Sequence, residues 1–241
     1  MLIYFHGNSA FSLVFTSSWD TIRLSHLPRN SSGFQKMAQY FQIHPYNPQP
    51  RLLNQAVAIL RRGGVIAYPT DSCYALGCHI GAKAAMERIR RIRKLNDRHD
   101  FTLVCRDLSE ISLYARIDNT AFRLIKNHTP GPYTFILKAT AEVPRRSLTR
   151  RKTIGLRVPD SLIAQGLSTY LDDPIMSVTL IMPGEELPMT DPDEMSTRLG
   201  NNVDLVIDGG PCGIEPTTVV DLTEGDPRLV RRGLGSTRAF E

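Results

Sequence analysis

Small hydroxylated and cationic residues gather in this 241-residue chain where apolar runs begin or end. Pro69-Thr70-Asp71-Ser72 closes one such run, and Pro130-Gly131-Pro132-Tyr133-Thr134 opens another. Arg157-Val158-Pro159 and Ser177-Val178-Thr179 stand at the ends of two more. Threonine and serine hydroxyls both donate and accept, so they suit a small polar ligand, while the guanidinium fork matches a carboxylate or phosphate. In open α/β sheets ligands collect at strand ends, because loops there vary while strands hold them rigidly. Each motif alone reads as a turn; their joint occurrence points to a small-molecule site.

A second chemistry lies in the charge distribution. The chain has a formal net charge of +5, and two short stretches account for more than all of it. Glu87 to Arg98 (ERIRRIRKLNDR) includes Arg90, Arg91 and Arg93, and Arg145 to Lys152 (RRSLTRRK) includes Arg145, Arg146, Arg150, Arg151 and Lys152. The remainder is net acidic. If folding brings both stretches to one face, they form a surface for the phosphates of a nucleotide or of RNA.

Several classes are excluded or unsupported. No stretch has the ~18 uncharged apolar residues a membrane helix needs, so no membrane partner is expected. The 4 cysteines are too sparse for a disulfide framework and form no C-x-x-C pair. Free thiols in a reducing cytoplasm, with no metal site, are the expectation. Neither G-x-G-x-x-G nor G-x-x-x-x-G-K-[ST] occurs where a Rossmann site or P-loop would need it.

The elements that must position these groups begin near residue 50. Leu53, Ala56, Val57 and Leu60 recur at helical spacing, and Gly63-Gly64 supplies the stop. VIAYPT is a short strand ended by Pro69. Met86, Ile89 and Ile92 restore helical spacing. TLVCRD reads as a strand, AFRLIKN as a helix capped by Asp118-Asn119, and YTFILK as a strand. TIGLRVP and PIMSVTL are strands on either side of a helix that Asp160 is placed to cap, and Asp191-Pro192 starts another helix. DLVIDGG, PTTVVDLT and PRLVRRG follow as strands with no helix between them. Strands interleaved with helices predict a layered α/β domain, and those last strands predict a mixed sheet. Residues 1–36 have no amphipathic period and lack the features of a secretory or mitochondrial signal. They are expected to be an extension outside the fold, disordered or not native, with Met37 as the start of a single domain over 37–241.

The motifs in order carry a resemblance. PTDSCYALG (Pro69 to Gly77), PGPYTFIL (Pro130 to Leu137), IGLRVP (Ile154 to Pro159), TVVDL and LVRRG resemble the YrdC family, from about Phe41 to the C-terminus. IHPYNPQPRL, the RIR-K-L segment and CRDLSE resemble its YciO branch. The resemblance implies a mixed twisted sheet with flanking helices and a basic concave face. It also implies synthesis of L-threonylcarbamoyladenylate from L-threonine, bicarbonate and ATP, for t6A37 modification of tRNAs. ATP with Mg2+ would enter as substrate, with no tightly bound cofactor. Double-stranded RNA binding is also associated with the fold. By resemblance, Thr70 matches the threonine that holds the amino acid. Thr134, Arg157 and Ser177 match positions lining the nucleotide and carboxylate pocket, and Arg231 matches an arginine near it.

The chain departs from the synthase signature of Lys-x-Arg paired with Ser-x-Asn. It carries Lys94-Leu95-Asn96 and Ser177-Val178-Thr179. Lys94 and Ser177 remain as the candidate catalytic residues, while Asn96 and Thr179 replace an arginine and an asparagine. Asparagine cannot supply the fixed charge or the bidentate donor of a guanidinium; Arg98 is close enough in sequence to substitute. Two readings follow. One is a nucleotide- and RNA-associated relative of the synthases with altered activity; the other is a tRNA-, rRNA- or double-stranded-RNA-binding module without synthase activity.

Overall fold

A computed structural model of the chain describes residues 37–96, 101–144 and 151–240. The expectations for residues 1–36, for Arg98 and for Arg145, Arg146 and Arg150 lie outside the described residues. The described residues fall within one unit, Gln35–Glu241.

Alternation of side chains along short apolar runs produces the strands. In chain order these are β1 (Gln39–Gln42), β2 (Ile66–Tyr68), β3 (Ala75–His79), β4 (Thr102–Val104), β5 (Ala115–Arg116), β6 (Tyr133–Ala139), β7 (Thr153–Arg157), β8 (Ile175–Thr179), β9 (Leu205–Asp208), β10 (Thr218–Asp221) and β11 (Arg228–Arg231). They form one mixed sheet in the order β1-β9-β2-β3-β8-β4-β7-β6-β10-β11, with β5 pairing β6. The expected mixed sheet is thus present. The sequence does not signal β1 and β5, which are short, or β3 (ALGCH), whose consecutive buried residues show no alternation.

The helices are α1 (Pro50–Arg61), α2 (Lys83–Arg93), α3 (Leu108–Tyr114), α4 (Asn119–Lys126), α5 (Leu162–Leu171) and α6 (Pro192–Leu199). Asp118 and Asp191 cap α4 and α6 as expected, accepting from Ala121 N and Asp193 N. The cap of α5 is a correction. Ser161, not Asp160, accepts from Ala164 N, and Asp160 instead donates its own N–H to Asp71 Oδ2 at 3.0 Å. The unpredicted α3 is started by Asp107, which accepts from Glu110 N, while Glu110 reaches back to Arg106 N at 2.7 Å. These bonds satisfy one donor of the first turn and the N–H of the residue before the cap, a variant of the capping box.

Which side of the sheet is covered, and by what, makes the site. On one face Leu76, Leu103, Phe135, Leu156, Met176 and Val220 join a core with Met86 and Ile89 of α2, Ile111 of α3, Ile125 of α4 and Met195 of α6. On the other, Ile66, Tyr68, Ile175, Leu205 and Ile207 pack against Leu53, Val57 and Leu60 of α1 and Ile163, Leu167 and Leu171 of α5. Further along that second face, the strands present no apolar core. The register pairs Ser177 with Thr102, Thr102 with Gly155, and Gly155 with Ile136, so one row crosses four strands. Its side chains line a cavity.

Candidate functional site

The cavity has a volume of about 300 Å³, at the small end of the ~300–1,000 Å³ typical of ligand sites. Its floor is the pleated surface of β4, β6, β7 and β8, contributing Thr102, Thr134, Ile136, Thr153, Gly155, Arg157, Ser177 and Thr179. Thr70, Ser72 and Cys73 enter from the loop between β2 and β3, and Thr217, Val219, Val230 and Arg231 from the β10–β11 edge. Phe101, just before β4, also lines the cavity. The lining holds many hydroxyls and two guanidinium groups, and no lining residue is acidic. That composition favours a polar ligand with acceptor oxygens.

Several of these hydroxyls are already hydrogen-bonded within the chain. Thr70 Oγ1 donates to Cys73 O at 2.6 Å and accepts from the Ser72 and Cys73 N–H groups, each at 3.3 Å. Its hydroxyl therefore knots the loop, and Ser72 Oγ, 3.2 Å away, donates to it. Tyr68, fully buried beneath the floor, donates its phenol to Ser177 Oγ at 2.9 Å, and Ser177 donates to Leu76 O at 3.3 Å. Burial pushes the Tyr68 phenol up to about 12, against the opposing pull of the Ser177 hydrogen bond and of Arg157. At this pKa it is a fixed donor at neutral pH. Thr134 and Thr217 share a hydrogen bond at 2.9 Å.

The two arginines differ in partners. Arg157 Nη2 is paired with Asp71 Oδ1, and Nη1 reaches Ser72 Oγ at 3.4 Å. Arg231 donates through Nε and Nη2 to Thr217 O at 3.2 and 2.9 Å, and through Nη2 to Thr217 Oγ1 at 3.2 Å. Burial pushes the Cys73 thiol up to about 11, so it is a thiol and not a thiolate at neutral pH. Among the described residues, no group of three or more His, Cys, Asp and Glu side chains could hold a metal ion.

Of the residues singled out from sequence, Thr70, Thr134, Arg157, Ser177, Thr179 and Arg231 line this one cavity. Lys94 and Asn96 do not line it. Lys94 is the left-handed C-cap of α2, at φ 50, and both side chains are exposed. Within the basic stretch, Arg90 stacks on Phe101 with 5.0 Å to the ring centroid and donates to Asn96 O at 3.0 Å. It thereby ties the end of α2 to a residue of the cavity wall. Arg93 is partly buried, and desolvation lowers its pKa. Arg91, Arg151 and Lys152 are exposed. The residues missed from sequence are Asp71 and Ser72 as partners of Arg157, Tyr68 as partner of Ser177, and Thr102, Thr153 and Thr217 in the lining. Strand alternation signalled Thr102 and Thr153, but which face they occupy depends on register.

Comparison with known proteins places these features in context. The family model Sua5_yciO_yrdC, described as Telomere recombination, matches residues 58–233. YciO of Escherichia coli (strain K12) is 60% identical over 205 residues, covering 85% of this chain and 100% of the relative. Its crystal structure superposes with a TM-score of 0.82 over the same 85% and 100%. A threonylcarbamoyl-AMP synthase of Coxiella burnetii is 31% identical over 177 residues, 72% of this chain and 94% of the relative. P. abyssi Sua5, crystallised in complex with L-threonine, superposes with a TM-score of 0.75 at 25% identity, over 80% of this chain and 57% of that one. No helix among the described residues is long and apolar enough to cross a membrane.

Proposed function

The chain belongs to the Sua5, YciO and YrdC family, related to the threonylcarbamoyl-AMP synthases, and from that premise we propose that its cavity binds L-threonine or a similar amino acid together with an adenine nucleotide. The observation that carries the reading is the lining itself: hydroxyls and two arginines on the uncovered part of one sheet face, with no acidic side chain among them. The likeness to a Sua5 that was crystallised with L-threonine supports it.

In this reading the chain supplies positioning and charge stabilisation, and needs no protein nucleophile. The attacking group is the amine of the amino acid and the electrophile an activated carbonate. Negative charge develops on oxygens that one O–H of the Thr134–Thr217 pair and the N–H donors of Arg231 can reach. The arginine of the synthase signature is Asn96 here, whose short side chain does not line the cavity; a longer arginine at this position is the donor the site lacks. One missing transition-state donor costs about 3–4 kcal/mol, or roughly a hundred- to a thousand-fold in rate. Turnover by the native chain is therefore slow. The test is production of threonylcarbamoyladenylate by the full chain given L-threonine, bicarbonate, ATP and magnesium, beside the double variant Asn96→Arg, Thr179→Asn. Slow product from the native chain and a gain of about a hundred-fold or more in the variant is the expected result; no binding of L-threonine or ATP by either protein would refute the reading.

A second reading, contact with tRNA or double-stranded RNA, is favoured by the exposed cations Arg91, Lys94, Arg151 and Lys152. Its signature is affinity that falls with salt at a log–log slope of roughly 0.7–0.9 per phosphate contacted. A slope near zero in tRNA titrations across a range of salt would remove it.

A further inference from the structure

Of the strands that wall the cavity, β11 has the least support. It is 4 residues long, lies at the sheet edge, and among the described strands pairs with β10 alone, in a register that shifts between Val219 and Val220. At its start Arg228 reaches Asp221 at 2.9 Å with the arginine side chain 70% exposed, and exposed ion pairs contribute little. Short edge elements with few buried contacts open locally at low cost. Yet Val230 and Arg231 line the cavity from this strand, so something else must hold it.

The segment after β11 supplies the tie. Gly233 N donates to Thr218 Oγ1 at 3.1 Å and Leu234 N to Pro216 O at 2.9 Å, while Thr218 Oγ1 donates to Gly235 O at 2.6 Å. Tyr133 donates its phenol to Ser236 O at 3.2 Å. The backbone at Gly235 lies against the Tyr133 ring: a Cβ there would stand 2.5 to 2.9 Å from three ring carbons, so this close approach requires glycine. Phe240 closes the segment. Its ring centroid is 5.0 Å from that of His128 and 6.0 Å from that of Tyr133, and the His128 and Tyr133 rings are themselves 5.0 Å apart, edge to face. Such separations lie in the favourable range of about 4.5–7 Å for aromatic pairs. His128 is fixed in turn, its Nδ1–H donating to Leu124 O of α4 at 2.7 Å, and Tyr133 stacks on the fully buried Phe135 at 6.1 Å.

Strand parity puts these fastenings behind the cavity. Thr218 and Tyr133 are register partners and neither lines it, whereas their neighbours Thr217, Val219 and Thr134 do. We infer that residues 232–240 are a strap that holds β11, with Val230 and Arg231, in the cavity wall, and that Phe240, clasped by His128 and Tyr133, is its fastening. Phe240 is thus a positioning residue that acts through β11 on what the cavity binds, which in its functional consequence rests on the ligand reading proposed above.

The test compares the full native chain with Phe240→Ala and with Phe240→Tyr, which keeps the ring, by amide hydrogen exchange and by calorimetric titration of ATP. In Phe240→Ala, exchange across β11 and at Gly233 and Leu234 should quicken about ten-fold while α1, α5 and β2 keep native protection. ATP affinity should fall about five-fold, and Phe240→Tyr should restore both. Exchange that quickens equally in α1 and β2 would make the segment part of the global core and overturn the inference. Native exchange in β11 of Phe240→Ala would overturn it too, as would faster exchange there with ATP bound as tightly as by the native chain. If the native chain binds neither ATP nor L-threonine, the proposed function fails and exchange alone judges the strap: local quickening at β11 upholds it and native exchange overturns it.

Discussion

Replacing Gly233 with alanine probes whether the β10–β11 edge is what holds Arg231 at the cavity. A Cβ added there would overlap the Pro216 carbonyl oxygen and stand 2.6 Å from the Thr217 carbonyl carbon and oxygen. Carbon contacts are optimal at about 3.5–4.0 Å, so the overlap is roughly 1 Å. The obstructing atoms are backbone, which cannot rotate aside. The segment after β11 must lift from Pro216–Thr218, straining the Gly233 N to Thr218 Oγ1 bond of 3.1 Å and the Leu234 N to Pro216 O bond of 2.9 Å. Overpacking costs about 1–3 kcal/mol, and weakening one hydrogen bond adds about 1 kcal/mol. The expected loss is about 2–4 kcal/mol, which at about 2–4 °C per kcal/mol lowers Tm by roughly 5–15 °C. Because Arg231 donates to Thr217 across the same seam, ATP affinity should fall about ten-fold, as charge-assisted hydrogen bonds are worth about 1.5–3 kcal/mol. Thermal melts followed by calorimetric titration read both effects. Gly81→Ala is the control, since its Cβ would meet nothing nearer than the His79 ring at 3.5 Å. A Gly233→Ala protein that melts within about 2 °C of the native chain and binds ATP as tightly would refute this reasoning.

Two further perturbations follow from buried groups. Desolvation raises the Glu110 carboxyl above its ordinary value of 4.5, outweighing the Arg106 N–H and the Arg106 charge that pull it down. The folded chain therefore keeps a proton that the unfolded chain releases, and stability falls as pH rises from the unfolded value through the raised folded one. Glu110→Gln retains an oxygen for the Arg106 N–H, and should be more stable than the native chain in denaturant melts at neutral pH but not below about pH 4; equal stability at neutral pH would count against it. Tyr68→Phe removes the donor to Ser177 at 2.9 Å and should cost about 1 kcal/mol of stability. L-threonine or ATP binding should weaken a few-fold as Ser177 loses its fixed orientation; unchanged melting and binding would show that the phenol positions nothing.

Local pattern alone determined a good deal of this protein. The placement of Thr70, Thr134, Arg157, Ser177, Thr179 and Arg231 beside strand ends was readable because strand periodicity and Pro or Gly punctuation act over a few residues. Those residues do meet in one cavity. The caps at Asp118 and Asp191 were legible for the same reason, whereas α5 starts one residue later than the Asp160 cap implies, at Leu162, which makes Ser161 the cap. Tertiary structure decided the rest. Arg157 meets Asp71 across 86 residues of chain, and no spacing rule announces that a cavity arginine is already neutralised. The off-lining position of Lys94 and Asn96 follows from where α2 ends, and resemblance in sequence cannot show it. Alternation places Thr102, Gly155 and Ser177 opposite the Leu103, Leu156 and Met176 core. Only strand order and register make them neighbours, and only the packing of α1 and α5 over another part of that face leaves them uncovered. A residue's parity is a local property of the backbone, but the covering of a face is set by elements far away in the chain.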